Sequence, residues 1–150
     1  MIPKFRAWLK HEQEMHDVLA FDTRGHSFLG IEGTHVTVDA WCDYFEVGTQ
    51  VEVMQSTGLK DKNGVEIFEG DILHRKVHVI LLGTDLNKWV DEYAHVEWKY
   101  GGWHVGEDLL EFVLEEGIDR HTGCSQTALE VIGNIYENPD LLDSDLVEVD

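Results

Sequence analysis

The chain has 150 residues, five of them tryptophan, a length that fills one domain and buries a core without disulfides or metal. Thirty Asp and Glu against eleven Lys and Arg give a formal charge of −19, and thirteen of those acids follow residue 104 with Arg120 as their only base. Such a surface repels phosphates, which argues against direct DNA or RNA binding, and no apolar run reaches the ~20 residues of a membrane helix.

The opening, "MIPKFRAWLKHEQ", has early basic residues but no apolar core segment, so no export signal is expected. Cys42 and Cys124 stand far apart and read as reduced thiols of a cytoplasmic protein. Phe5 to Trp8 alternates, a polar stretch follows, and Met15 with Val18 resumes the apolar pattern, as in a strand–loop–strand entry. His35 to Asp39 is a clean strand pattern with Val36 and Val38 on one face. "TQVEVMQST" repeats it with Val51 and Val53, while the aromatic "AWCDYFEVG" between them fits either a helical turn or a bulged strand.

The most patterned stretch is "TGLKDKNGVEIFEGDIL", residues 57–73. Asn63-Gly64 predicts a hairpin with a type I′ turn, which needs positive φ at both central residues. Val65 and Ile67 should then alternate with Glu66 and Phe68 along a strand exposed on one face. Gly70-Asp71 bends the chain towards Ile72, a strand covers Lys76 to Leu82, and a loop is expected from Gly83 to Tyr93. "AHVEWKY" alternates again, and Gly101-Gly102 turns it back so that Trp98 and Trp103 meet across a hairpin. Residues 107–116 favour a helix with Leu109, Leu110, Val113 and Leu114 on one stripe, although the hairpin could extend into them. A strand is expected near Glu130 to Tyr136, a stop at Asn138-Pro139, and a frayed acidic end. The pattern is mainly β, within an α+β class. It predicts a small SH3-like barrel in the C-terminal part, an N-terminal β-containing subdomain and one short helix. One domain over 1–150 is expected, divisible into 1–50, a barrel over 51–138 and an acidic tail over 139–150.

Chemistry is harder to find. Counted from Asp61, Gly64 and Val65 fall where a calcium loop needs other residues, so Asp61 and Asp71 read as carboxylates that accept backbone N–H groups at turns. His74 and His78 lie on a strand, roughly 13 Å apart, too far for one ion. His121 and Cys124 have no paired cysteines beside them. Nucleophile elbow, zinc-protease and phosphate-loop motifs do not occur. Cys42, among aromatics and acids, reads as core. No catalytic, cofactor-binding or metal-binding residue is therefore assigned. Trp98 and Trp103, beside a Gly-Gly tip, are the residues singled out for interaction.

"TGLKDKNGVEIFEGDIL" and "EVIGNIYENPDLL" resemble the two most characteristic motifs of the YopX family of phage and prophage proteins, and "IPKFRAW" followed by Met15 resembles its opening. Gly58, Leu59, Asp61, Gly64, Gly70, Asp71, Gly133, Asn134 and Tyr136 carry the match. The resemblance implies a β-rich protein made in the cytoplasm of a bacterial host, with an SH3-like barrel and no activity to carry over. The chain departs from the family pattern around Trp41 and from Gly83 to Tyr93, where a function of its own would be sought.

Composition and motifs together favour a non-enzymatic module that binds an unidentified phage or host protein through loops and an acidic face. The alternatives are an acidic mimic of nucleic acid that blocks a basic host protein, an enzyme with an unrecognised site, and a homo-oligomer joined through β edges. No membrane and no cofactor enters any of these readings.

Overall fold

Alternating sequence and frequent turn residues produce strands over most of the chain, 60% of it, with one short helix. The computed structural model describes residues 3–25, 33–39, 41–80, 83–85, 87–118, 123–142 and 147–148, the side chains of 41, 42, 147 and 148 excepted. Two compact units are present, Met1–Ser56 and Thr57–Asp150.

In the first unit, β1 (Phe5–Leu9), β2 (Glu14–Asp22), β3 (His35–Val38), β4 (Trp41–Glu46) and the beginning of β5 (Val51–Lys60) form one antiparallel sheet in the order β4-β3-β2-β1-β5. Arg6 faces Asp17 and Leu9 faces Glu14, which makes the expected entry hairpin. The aromatic stretch resolves as the strand of its two readings. Its register against β3 slips between Val36 and Val38, the mark of a bulge. Ala7, Leu9, Val36, Val38, Phe45 and Val51 make the core of this unit.

The second unit takes the rest of β5, then β6 (Glu66–Phe68), β7 (Asp71–Ile80), β8 (Asn87–Lys99), β9 (Gly102–Val105) and β10 (Asp108–Leu109). The single turn α1 (Leu110–Val113) follows, then β11 (Gly117–Ile118), β12 (Ser125–Gln126), β13 (Glu130–Asn134), a 3-10 turn at Pro139–Leu142 and β14 (Val147–Glu148). The sheet runs β10-β9-β8-β7-β12-β11, with β13 also paired to β7 and β14 to β8. It curls as a half-barrel, in keeping with the mainly β expectation. Ile67, Leu73, Val96, Val105, Leu110, Val113 and Leu129 fill it.

Several expectations are corrected. The stretch read as a loop from Gly83 is strand from Asn87 onwards, paired with β7 from Ile80↔Asn87 to Ile72↔His95. Its first half alternates exposed and half-buried positions, so a polar composition is compatible with pairing. Strand β7 likewise begins earlier than Lys76 and runs as one element over Asp71–Ile80. The alternation expected across Val65 to Phe68 fails: Val65 is exposed while Ile67 and Phe68 are both buried. This strand lasts three residues before the chain bends again, too short to hold a period of two. Residues 107–116 divide between both readings, a two-residue extension of the hairpin and one helical turn. Val147–Glu148 pair with Val90 and Asp91 where a frayed end was expected. His121 and the side chain of Cys42 lie outside the described residues.

Candidate functional site

Strand β8 ends in Trp98-Lys99, and the chain reverses through Tyr100 and Gly101 into Gly102-Trp103. Both central residues have positive φ, 52° at Tyr100 and 78° at Gly101, the signature of a type I′ turn. Glycine reaches this conformation freely, whereas a bulky residue such as tyrosine is strained there. The type I′ turn expected at Asn63-Gly64 is thus found here instead. At the earlier site only Gly64 has positive φ, and Gly64 N donates to the Asp61 carbonyl at 3.0 Å. That is a type I turn followed by a glycine bulge.

The turn expected at Gly101-Gly102 falls one residue earlier, since Gly102 already pairs with Lys99. It sets Trp98 opposite Trp103, which were expected to meet, with ring centroids 5.0 Å apart and planes at 76°. Edge-to-face packing holds the pair, yet Trp98 remains 56% exposed and Tyr100 88% exposed. A cleft of about 460 Å³ opens beside the two indoles. Thr57 and Leu59 of β5 and Leu109 of β10 form its walls, and Tyr100 and Glu111 contribute to the lining. Gly102 allows the close approach, since a Cβ there would stand 3.1 Å from Leu109 Cδ2. Nearby, Lys99 Nζ lies 3.1 Å from Glu97 and 3.6 Å from Glu107, within reach of both carboxylates. The hydrogen bond to Glu97 raises the lysine pKa and lowers that of Glu97.

One histidine lies at this turn: His104 Nδ1 stands 3.1 Å from the Gly102 carbonyl, and its ring packs edge-on to Tyr100 at 5.9 Å. Two others are held by carboxylates. His74 Nδ1 stands 2.9 Å from Glu130 Oε1 and its Nε2 2.6 Å from Asp91 Oδ1. In the first unit His16 repeats the arrangement, with Glu14 at 2.7 Å and Asp39 at 3.1 Å. Both nitrogens of each ring are engaged with carboxylate oxygens, so neither ring keeps a nitrogen free to take a substrate proton. The bond to His74 is the largest cause holding Glu130 below the usual carboxylate range, and the bond to Glu14 the largest raising His16. Burial, then the Asp91 charge, pushes Tyr93 up. His78 pairs with Asn87 and packs on Trp89. Among the described residues no group of three or more His, Cys, Asp and Glu could hold a metal ion.

The two aspartates of the patterned stretch have structural partners. Asp61, nearly buried, accepts from Asn63 N and Val65 N through Oδ1, at 2.8 and 2.9 Å, and from Val131 N through Oδ2. Asp71, 2% exposed, accepts from Phe68 N at 2.7 Å. Around the second motif, Asn134 Oδ1 accepts from Tyr136 N and Glu137 N, which closes the next turn.

Sequence reasoning brought forward Trp98 and Trp103, and the fold joins them. It missed Tyr100, Leu59, Leu109 and Glu111. Only Tyr100 carried a signal, as a large aromatic directly before a glycine pair. Of the two stretches where a function of its own was sought, residues 87–93 belong to β8 and the Trp41 side chain lies outside the described residues.

Against known proteins, a family model described as YopX protein matches residues 4–143. The crystal structure of protein EF1440 from Enterococcus faecalis is 29% identical, over 95% of this chain and 99% of that one, with a TM-score of 0.52. No curated protein matches the chain.

Proposed function

This chain belongs to the YopX family, and we propose that it serves a phage or prophage as a non-catalytic protein-binding module in the host cytoplasm. The partner polypeptide docks at the turn between β8 and β9, on Trp98, Tyr100 and Trp103. One observation carries the reading: a tyrosine 88% exposed is held in a strained left-handed conformation beside a half-open pair of indoles. Strain of this kind costs stability and collects at functional sites, and large rigid aromatics are the commonest anchors of interfaces.

Binding is favoured over catalysis because two of the half-buried histidines, His16 and His74, have both ring nitrogens on carboxylates. Four of the thirty acids, Asp61, Asp71, Asp91 and Glu130, are engaged within the fold and so cannot join a phosphate-like row, which weighs against mimicry of nucleic acid. The test is affinity capture from host cells with the wild-type chain and with a Trp98→Ala/Tyr100→Ala variant. A partner retained by the first and lost by the second is the expected result. Equal recovery by both would remove the cleft from the interface. Sedimentation of the same two proteins shows whether the partner is a second copy of the chain.

A further inference from the structure

We propose that the cleft at the β8–β9 turn receives a cationic side chain, an arginine or lysine carried on a basic and extended segment of the partner. This rests on the binding reading above and narrows it to one chemistry.

Three features of the lining point the same way. The first is the pair of indoles, set near right angles at 5.0 Å with Trp98 half open to solvent. Aromatic faces carry negative potential, and indole binds cations best among the side-chain rings. Tyr100 adds a third ring to the same lining. The second is Glu111, exposed on α1, which places a carboxylate where a guanidinium or ammonium would need a counter-charge. The third is that, among the described residues, no Lys, Arg or His lines the cleft. Lys99, on the neighbouring position of the hairpin, is held by Glu97 and Glu107 with its Nζ 5.9 Å from the Tyr100 ring centroid, so an incoming cation is received chiefly by the two indoles.

Size and overall charge agree. A cleft of about 460 Å³ is several times larger than one side chain, so it suits a stretch of chain rather than a free ion. A net charge of −19 raises the encounter rate with basic segments and lowers it with acidic ones. Docking an extended peptide against rings also limits the ordering cost, because few rotamers on the receiving side must be fixed.

The experiment titrates the full chain with a synthetic nonapeptide that alternates arginine and proline, at 0.15 M salt, followed by tryptophan fluorescence. The same peptide with citrulline for arginine keeps the shape and removes the charge. Arginine peptide should bind at least about tenfold more tightly than citrulline peptide. Trp98→Ala should weaken the arginine peptide about tenfold, and Glu111→Gln should weaken it several-fold. Asp85→Asn, an exposed acid in the turn before β8, removes one charge at the far end of that strand and should change nothing. Circular dichroism confirms that each variant is folded.

Equal binding of the two peptides would overturn the cationic inference while leaving a shape-reading cleft and the binding module intact. An equal loss from Asp85→Asn and Glu111→Gln would overturn it too, as diffuse attraction. So would the absence of binding by the arginine peptide at millimolar concentration.

Discussion

Asp61 Oδ2 accepts a hydrogen bond from Val131 N at 2.8 Å across seventy residues of chain. It joins the two most distinctive sequence motifs into a single piece of architecture. Lys62 N donates to the Leu129 carbonyl, and Ile135 N to the Gly70 carbonyl, on either side of it. Glu130 to Asn134 pairs with β7 from His74 back to Asp71. What looks in sequence like two separate signatures is one corner, built twice from turn residues.

Removing the Asp61 carboxylate should therefore loosen both motifs. Asp61→Ala leaves three backbone N–H groups without their acceptor in a nearly buried place, at a cost of about 3 kcal/mol. Asp61→Asn keeps one oxygen but turns an amide donor against another donor, and should lose roughly half as much. Urea unfolding measures both. Midpoints unchanged from wild type would show that these bonds are dispensable.

A second constraint sits at Gly133. A Cβ there would lie 2.3 Å from Asn138 Oδ1 and 2.7 Å from its Cγ. Gly133→Ala must displace a side chain whose oxygen accepts from Asn134 N, and should cost about 1–3 kcal/mol. Asn138→Ala clears the space at the price of that bond. The double variant should then be more stable than the two single losses predict, by roughly 1 kcal/mol. Strict additivity in a denaturation cycle would contradict the crowding.

Much of this was legible from residues alone. Asp61 and Asp71 were readable as turn carboxylates, because a short acid beside Gly or Asn has few other uses in a strand-rich chain. The meeting of Trp98 and Trp103 was readable from a hairpin near the glycine pair, although the turn lies one residue before that pair, at Tyr100-Gly101. Partner choice was harder to read. Nothing local tells Asp61 to reach Val131, since that contact depends on where β13 returns in the sheet. The beginning of β8 was hidden because a half-exposed strand tolerates Asn, Lys, Asp and Glu as a loop does. The type I′ turn was assigned to Asn63-Gly64 by residue preference. The Asp61 side chain bonds select a type I turn there, and the tighter turn falls to Tyr100, which preference disfavours.

The two indoles should separate folding from binding. Trp103 is half-buried and packs against the core of the second unit, whereas Trp98 is 56% exposed. Trp103→Ala should cost about 2–3 kcal/mol and Trp98→Ala below about 1 kcal/mol, mostly their mutual ring contact. Thermal or urea unfolding of the two variants checks the order. Equal losses would mean that Trp98 is a core residue and a poor candidate for an anchor.

Stability in the first unit should carry a histidine signature. Hydrogen bonds first to Glu14 and then to Asp39 hold the His16 pKa above its ordinary value of 6.5. A raised pKa in the folded state means that protonation favours folding. The contribution is therefore complete below about pH 6.5 and fades as pH rises through the folded value. His16→Gln should abolish this part of the profile, so the wild-type advantage in melting temperature should shrink from pH 6 to pH 8. Glu130 has the opposite sign. Its lowered pKa stabilises above the ordinary 4.5 and is lost on acidification, so Glu130→Gln should cost more at pH 7 than at pH 3. A constant difference across either range would deny the linkage.

Tyr100 offers the sharpest contrast between what folding prefers and what binding would need. At φ 52° and 88% exposed, its ring gains little burial to offset the backbone strain. Asparagine enters the left-handed region more easily than an aromatic residue and is a favoured partner of glycine in a type I′ turn. Tyr100→Asn should accordingly raise stability by roughly 0.5–1 kcal/mol. The same change removes one of the three rings of the cleft and should weaken the arginine–proline peptide several-fold. A tyrosine retained only for the fold gives a different outcome: Tyr100→Asn would destabilise the chain and leave peptide affinity where it was. Paired urea and fluorescence titrations on one preparation distinguish these outcomes, because the two readouts must move in opposite directions.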